Sequence, residues 1–193
     1  MKRSIIGLGV TALTAAAAAL FAAPAQAAPL TPVTELDITR YLGGWHQLAA
    51  NPAPFNLDCV RDTTATYTLI DDRNIRVENS CTTVSGARRG IVGNARVNDT
   101  ASLHVSFPGV PFEGSPDGPS NYLVAYIADD YSWALVGDDT RLSGFVLARS
   151  PVVDESDWQR IRTVVEQHGY HSCLMLTSPT TDGYQQIRPL CTV

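Results

Sequence analysis

The chain has 193 residues, with 14 Lys and Arg residues against 19 Asp and Glu, and a formal net charge of −5. Lys2 is its single lysine, and the arginines are scattered apart from the pair Arg88-Arg89. An acidic chain without a basic cluster does not predict nucleic-acid binding. A chain without lysine after residue 2 also excludes Schiff-base chemistry and a covalent retinal-type linkage.

The first 27 residues have the pattern of a secretory signal peptide. Met1-Lys2-Arg3 is a positive start, an alanine-rich apolar run follows from Ser4 to Ala23, and residues 25–27 form an Ala-x-Ala site. We therefore expect cleavage after Ala27, export to the extracellular space or periplasm, and one domain over residues 28–193. No later run approaches the roughly 20 apolar residues that a membrane-spanning helix needs, so we expect no integral membrane segment.

The four cysteines of this domain are Cys59, Cys81, Cys173 and Cys191. An even number in an exported chain indicates two disulfides rather than thiols or metal ligands, and sequence alone allows three pairings. Because two cysteines lie early and two late, we favour Cys81–Cys191 with Cys59–Cys173 over a Cys59–Cys81 bridge. His168 and His171 lie near Cys173, but an oxidised cysteine is a poor ligand, so we expect no metal site and no cofactor.

From residue 45 onward, short stretches of alternating apolar and polar residues are separated by turn residues, which is typical of β-strands. Eight strands are predicted, at 45–50, 59–70, 75–81, 90–97, 101–107, 121–128, 132–137 and 143–149. No helical pattern interrupts the series, so neighbouring strands should pair antiparallel. Eight up-and-down strands can close into a barrel, which removes exposed sheet edges.

A single helix is predicted after the eighth strand. Ser150-Pro151 ends that strand, and a helix at about 154–168 would place one narrow apolar stripe, including Trp158 and Ile161, against the outside of the barrel. Residues 173–177 form a short ninth strand in this interpretation. The predicted fold is an all-β, eight-stranded antiparallel up-and-down barrel with one external C-terminal α-helix.

Three segments of this chain resemble the lipocalin family, in particular its outlier group of bacterial lipocalins and apolipoprotein D. Gly43-Gly44-Trp45 opens the first strand, residues 128–137 contain the turn between strands six and seven, and residues 145–151 end strand eight before the helix. The resemblance covers roughly residues 36–177. It implies a barrel that binds a small hydrophobic molecule.

Alternating turns place the beginning of strand one and the end of strand eight at the same end of the barrel, which we call the closed end. Arg149 is expected to stack its guanidinium on the Trp45 ring there and to donate hydrogen bonds to backbone carbonyls. Gly43, Trp45 and Arg149 are therefore predicted to be a structural cluster rather than ligand contacts.

The opposite, open end should be rimmed by residues 51–58, 82–90, 108–120 and 138–142, and an eight-stranded barrel has room inside for one small ligand. The side chains on the inward faces form the predicted ligand-binding set: Tyr67, Val77, Val105, Phe107, Tyr122, Val124, Tyr126 and Phe145. The alternative is that side chains fill the interior and leave no cavity. On the rim, Val110 and Phe112 could form an apolar lip, and Arg88 and Arg89 could meet a carboxylate or phosphate.

These features predict a monomeric, non-enzymatic secreted carrier or scavenger of a molecule resembling a fatty acid or lysolipid. No Gly-x-Ser-x-Gly nucleophile motif occurs in the chain. Two alternatives remain open at this point: a lipocalin-fold enzyme that acts on a lipid, and a protein-binding module that uses the loops of the open end.

Overall fold

In the computed structural model, residues 28–54, 57–111 and 114–193 are described. The predicted signal peptide and Phe112 lie outside these residues. The strands of the described chain are β1 Gly43–Ala50, β2 Cys59–Asp71, β3 Asn74–Thr83, β4 Arg88–Asp99, β5 Ser102–Ser106, β6 Tyr122–Ile127, β7 Trp133–Gly137, β8 Gly144–Ala148 and β9 Leu176–Thr177. The α-helices are α1 Ile38–Tyr41 and α2 Glu155–Gln167.

Strands β1 to β8 form a closed antiparallel barrel in sequential order. Each strand from β2 to β7 pairs with the one that follows it, and β1 closes the ring by pairing with both β8 and β2. The short strand β9 lies outside the ring against the end of β1. The predicted barrel, its external helix and its ninth strand are confirmed. The alternation of apolar and polar residues and the turn residues between them indicate the strands correctly.

Two hydrophobic layers hold the barrel together, one inside it and one between its wall and α2. On β3 the inward side chains of Ile75 and Val77 are 2% exposed. The alternating residues Arg76 and Glu78 face solvent. The second layer is built by α2, which buries Trp158, Ile161, Val164 and Val165. Among the described residues, no helix is long and apolar enough to cross a membrane.

The N-termini of both helices are defined by aspartate caps. Asp154 accepts a hydrogen bond from the Asp157 amide at 2.8 Å and starts α2. Asp37 likewise accepts from the amides of Thr39 and Arg40 and starts α1, which the sequence analysis missed. A helix of four residues is too short to show a helical repeat, so only its cap signals it.

The predicted disulfide pairing is wrong. Cys59 is joined to Cys81, and Cys173 to Cys191, with Cα–Cα distances of 5.6 and 4.8 Å. Irregular register in the first part of β2 brings Cys59 opposite Thr83, close to Cys81 on the neighbouring strand. The presence of two disulfides is confirmed. The first disulfide joins neighbouring strands and the second joins two turns of the C-terminal tail, so neither links the early strands to the tail.

The C-terminal tail folds back on itself beside the barrel. Short 3-10 turns at Ser172–Leu174 and Leu190–Thr192 carry the second disulfide, and the Leu190 amide donates to the Met175 carbonyl at 2.9 Å. Strand β9 is therefore shorter than the predicted 173–177, because its first residues form one of these turns.

Residues 176–181, which we call the C-terminal strap, fill a gap in the barrel wall. Strand β2 pairs with β1 only along residues 43–46 of β1. Beyond that point the Ser178 amide donates to the Leu48 carbonyl at 2.8 Å, and the Asp62 amide of β2 donates to the Pro179 carbonyl at 2.8 Å. The strap thus connects two strands that have separated near the open end.

Candidate functional site

The interior of the barrel contains a cavity of about 490 Å³. This volume lies within the range typical of small-molecule sites. The cavity runs from a floor above the closed end to a mouth surrounded by the loops that join β1 to β2, β5 to β6 and β7 to β8. Most of its lining is apolar. The presence of this cavity means that side chains do not fill the interior of the barrel.

Six of the eight predicted ligand-binding residues line this cavity: Tyr67, Val77, Val105, Phe107, Tyr122 and Phe145. They come from strands β2, β3, β5, β6 and β8 and from the loop after β5, so the cavity is surrounded on most sides by residues of inward parity. These residues line the cavity, and their contact with a ligand stays a prediction.

Tyr126 lies on the outer face of the barrel, contrary to the predicted inward position. Its ring contacts Trp133 at a centroid distance of 4.6 Å and His168 at 6.2 Å, next to α2. The register of β6 against β7 shifts between Val124 and Tyr126. A bulge of one residue moves every later side chain to the other face of a strand, so simple alternation fails beyond Val124.

Val124 has the predicted inward orientation but belongs to the packed core. It is 0% exposed and lies in the inner hydrophobic cluster with Trp45 and Val136. The Val33 amide of the N-terminal segment donates to its carbonyl at 2.9 Å, which covers β6 on that side. Its role is to support the floor of the cavity.

The floor carries three tyrosines, Tyr41, Tyr67 and Tyr122, which we call the tyrosine triad. The Tyr122 hydroxyl is 2.7 Å from the Tyr41 hydroxyl and 3.0 Å from the Tyr67 hydroxyl. Tyr41 and Tyr67 are 3% and 8% exposed and their rings stack at 5.7 Å. All three line the cavity, so an otherwise apolar space ends in a small hydroxyl cluster.

Burial dominates the acid–base behaviour of the tyrosine triad. It raises the pKa of Tyr67 to about 12, and it raises the pKa values of Tyr41 and Tyr122 well above the ordinary value. A negative charge on the floor is therefore unfavourable, because a buried site solvates a charge poorly. The triad acts as a set of neutral hydroxyls at any physiological pH.

The closed end is held by a cluster beneath this floor. The Arg149 guanidinium carbon lies 3.7 Å from the centroid of the Trp45 ring, and its nitrogens donate to the carbonyls of Arg40, Leu42 and Gly44 at 2.6, 2.9 and 2.8 Å. On its other side Trp45 contacts the Tyr41 ring at 5.0 Å. Rings and guanidinium thus form a continuous stack from the surface to the cavity.

Gly43 is required at the start of β1 by its backbone conformation. Its φ is +92°, a region that other residues rarely adopt. A Cβ at this position would lie 3.5 Å from Arg149 Nη1. The glycine therefore lets the chain turn from α1 into the barrel wall while Arg149 passes close by.

The mouth carries charges of both signs. Arg89 lines the cavity, and its Nη1 lies 2.6 Å from the Asp58 carboxylate in the β1–β2 loop. Asp138 lies in the β7–β8 loop, where hydrogen bonds from Ser143 and Thr140 outweigh its burial and lower its pKa. Arg88 faces outward and donates to Ser80 and Thr64 hydroxyls, so it does not reach a ligand in the cavity.

The loop between β5 and β6 is fixed to the barrel wall beside the mouth. The Asn121 side chain accepts from the Val105 amide at 2.7 Å and donates to its carbonyl at 2.9 Å, which imitates a neighbouring strand. His104 ring nitrogens lie 2.8 and 3.0 Å from the carbonyls of Pro119 and Ser115. Val110 of this loop lines the cavity as expected for an apolar lip.

Tyr41 and Asn79 are among the lining residues that were not predicted as site residues. Tyr41 belongs to α1, which the sequence pattern did not reveal. Asn79 lies two residues beyond Val77 on the same inward face of β3, and its buried Oδ1 has no hydrogen-bond partner among the described residues. A polar residue on an apolar strand face was the available signal for Asn79.

The described part of the chain contains no group of three His, Cys, Asp or Glu residues that could hold a metal ion. The cysteines near His168 and His171 form a disulfide. Most groups that line the cavity are apolar side chains, hydroxyls and amides, and the charged side chains of Arg89 and Asp138 also belong to its lining.

Comparisons with known proteins agree with this architecture. The sequence profile of the lipocalin-like domain matches residues 36–180. Temperature-induced lipocalin-1 of Arabidopsis thaliana is 31% identical over 155 residues, which cover 78% of this chain and 82% of the relative. Outer membrane lipoprotein Blc of Escherichia coli (strain K12) is 31% identical over 167 residues, which cover 82% of this chain and 90% of the relative.

A solved structure shows the same fold. Insecticyanin from the tobacco hornworm Manduca sexta superimposes with a TM-score of 0.63 at 15% identity, covering 86% of this chain and 96% of insecticyanin. At this identity the likeness concerns the fold alone. The barrel, its single late helix, its internal cavity and the matched sequence together lead to one conclusion: the chain belongs to the lipocalin family.

Proposed function

We propose that this protein is an exported carrier or scavenger that holds one lipid of fatty-acid or lysolipid size inside its barrel. The observation that carries the proposal is the open, mostly apolar cavity of about 490 Å³. Burial of an alkyl chain in such a space yields about 0.8 kcal/mol per methylene group. An acyl chain of moderate length would therefore bind with micromolar affinity, about −8 kcal/mol.

The mouth suits a polar head group that stays in contact with water. Arg89 and Asp58 present a positive and a negative group side by side, and their side chains are 53% and 65% exposed. A zwitterionic lysolipid could replace the Arg89–Asp58 ion pair with two contacts, its phosphate to Arg89 and its ammonium group to Asp58. A fatty-acid carboxylate could compete with Asp58 for Arg89. The acyl chain would then follow the apolar walls toward the floor.

Two observations support export. The disulfides Cys59–Cys81 and Cys173–Cys191 belong to an oxidising compartment, and the first 27 residues have the pattern of a signal peptide. One relative is named an outer membrane lipoprotein. These points favour an extracellular or periplasmic site of action.

The direct test is a titration of purified protein with fatty acids and lysolipids, with native mass spectrometry of protein purified from its own host to detect a retained ligand. Val105→Trp should fill the cavity and abolish saturable binding. Tyr126→Phe, outside the barrel, is the matched control and should bind as wild type does. If delipidated wild type binds no member of the panel and releases no ligand, the carrier function is wrong.

A further inference from the structure

The tyrosine triad has one more hydrogen-bond donor than the protein uses. Its three hydroxyls carry three hydrogens, and the two contacts at 2.7 and 3.0 Å consume two of them. Among the described residues, the third hydrogen has no protein acceptor. A buried donor left unmet is unfavourable, so a ligand that supplies an acceptor there is stabilised relative to one that does not.

The position of the triad shows where such a ligand atom would lie. Tyr41 closes the floor from α1, while Tyr67 and Tyr122 reach it from β2 and β6, and all three line the cavity. Leu103 and Ile75 surround them as apolar neighbours on the same floor. The spare hydrogen therefore faces the part of the ligand that enters first, far from the charged mouth.

The acceptor at the floor must be neutral. Burial raises the pKa values of all three tyrosines, which shows that the floor disfavours negative charge. The nearest cation, Arg149, lies beyond the Trp45 ring, and its nitrogens are already bonded to backbone carbonyls. A carboxylate at the floor would lose its hydration without gaining a cationic partner.

A second unmet polar atom lies in the cavity wall. Asn79 Oδ1 is buried and without a partner among the described residues, and Asn79 lines the cavity opposite Ala65 on the neighbouring strand. A purely aliphatic ligand would leave both the spare donor and the spare acceptor without a hydrogen-bond partner. The spare tyrosine hydrogen favours a ligand oxygen that accepts, and Asn79 Oδ1, itself an acceptor, favours a ligand hydroxyl that donates.

We propose that the cavity is selective for lipids whose buried end carries a neutral oxygen, a hydroxyl or carbonyl, which accepts the spare hydrogen of the tyrosine triad. This inference rests on the proposed carrier function and names the chemical class of its ligand: an oxygenated acyl chain, with its head group at the mouth and its oxygen on the floor.

Three probes that share one head group separate the possibilities. Hexadecanoate ends in a methyl group, omega-hydroxyhexadecanoate in a neutral hydroxyl and hexadecanedioate in a carboxylate; their twelve-carbon counterparts allow for the depth of the cavity. Binding is measured by calorimetry to wild type and to the triple variant Tyr41→Phe/Tyr67→Phe/Tyr122→Phe. The triple variant is needed because any single substitution leaves at least one spare hydroxyl hydrogen. Tyr126→Phe is the control outside the cavity.

The decisive quantity is the ratio of the dissociation constants of the hydroxy acid and the plain acid. One lost hydrogen bond should raise this ratio about five- to tenfold in the triple variant, while Tyr126→Phe leaves it unchanged. The diacid should bind wild type more weakly than the hydroxy acid. A fourth probe, 15-oxohexadecanoate, carries a ketone next to its terminal methyl group. When it is bound, its infrared ketone band should lie at lower frequency in wild type than in the triple variant.

Each contrary result has a distinct meaning. A ratio that is equal in wild type and the triple variant overturns the selectivity for oxygen while leaving the carrier function in place. A diacid that binds more tightly than the hydroxy acid overturns the neutral character of the floor. If neither the plain acids nor the hydroxy acids of either length bind wild type, both the carrier function and this inference fail.

Discussion

Arg149 stacks on Trp45 with its guanidinium carbon 3.7 Å from the indole centroid, and it simultaneously bonds three backbone carbonyls. Those carbonyls belong to the end of α1, the following residue and the start of β1. One side chain from the end of β8 thus fixes the chain segment that closes the barrel.

Loss of this contact should weaken the fold without changing the cavity. Arg149→Ala leaves the carbonyls unmet and should lower the free energy of unfolding by about 1–3 kcal/mol, and Trp45→Ala should lower it by about 3–5 kcal/mol. Arg149→Lys keeps the charge but not the planar fork and should recover only part of the loss. Urea unfolding measures the free energy of unfolding of each variant. A variant with unchanged stability but lost ligand affinity would contradict the structural role.

The two disulfides should each stabilise the protein. Paired replacement of Cys59 and Cys81 by alanine, or of Cys173 and Cys191, should lower the free energy of unfolding by about 3 kcal/mol, as expected for loops of this length. Peptide mapping without reduction should recover Cys59 with Cys81. A peptide that joined Cys81 to Cys191 would refute the pairing.

Gly93 should not tolerate a methyl group, whereas Gly44 should. A Cβ on Gly93 would lie closer to the Ser106 carbonyl oxygen than real Cβ atoms do, and 2.5 Å from the Phe107 ring. Gly93→Ala should therefore cost about 1–3 kcal/mol. A Cβ on Gly44 meets nothing within 4 Å among the described residues, so Gly44→Ala serves as the matched control in thermal unfolding. Equal effects of the two substitutions would show that Phe107 does not pack on β4.

Stability should fall steeply at alkaline pH. The pKa of Tyr67 is raised from its ordinary 10.0 to about 12 by burial, so the native state holds its proton longer than the unfolded chain does. The stability that Tyr67 contributes is complete below pH 10 and is lost as pH rises through about 12. Tyr41 and Tyr122 shift in the same direction.

The triple phenylalanine variant checks this dependence. It should flatten the decline of unfolding free energy between pH 10 and 12 and remove part of the late tyrosinate absorbance. Tyr170 remains in the variant, and because burial and the nearby Asp138 raise its pKa too, some dependence should persist. A variant as sensitive to alkali as wild type would show that the floor tyrosines are not buried.

Sequence reasoning located the strands well because their signals are local. Alternating faces such as those of β3, and turns such as residues 71–74, depend on neighbours along the chain. The positions of Tyr126 and of the Cys59–Cys81 pair depend on register between strands, which bulges change without a local signal. Tyr41 was missed for a third reason: α1 has only four residues.

The C-terminal strap has a consequence for how wide a molecule the barrel can admit. A barrel closed by β-ladders along its whole wall has a circumference set by the number of strands and their stagger. Near its mouth this barrel is sealed between β1 and β2 by Ser178, Pro179 and the contacts of Thr181 with the Asp62 carboxylate instead. On this side of the mouth, the width of the barrel therefore depends on a few hydrogen bonds to the C-terminal strap rather than on a β-ladder.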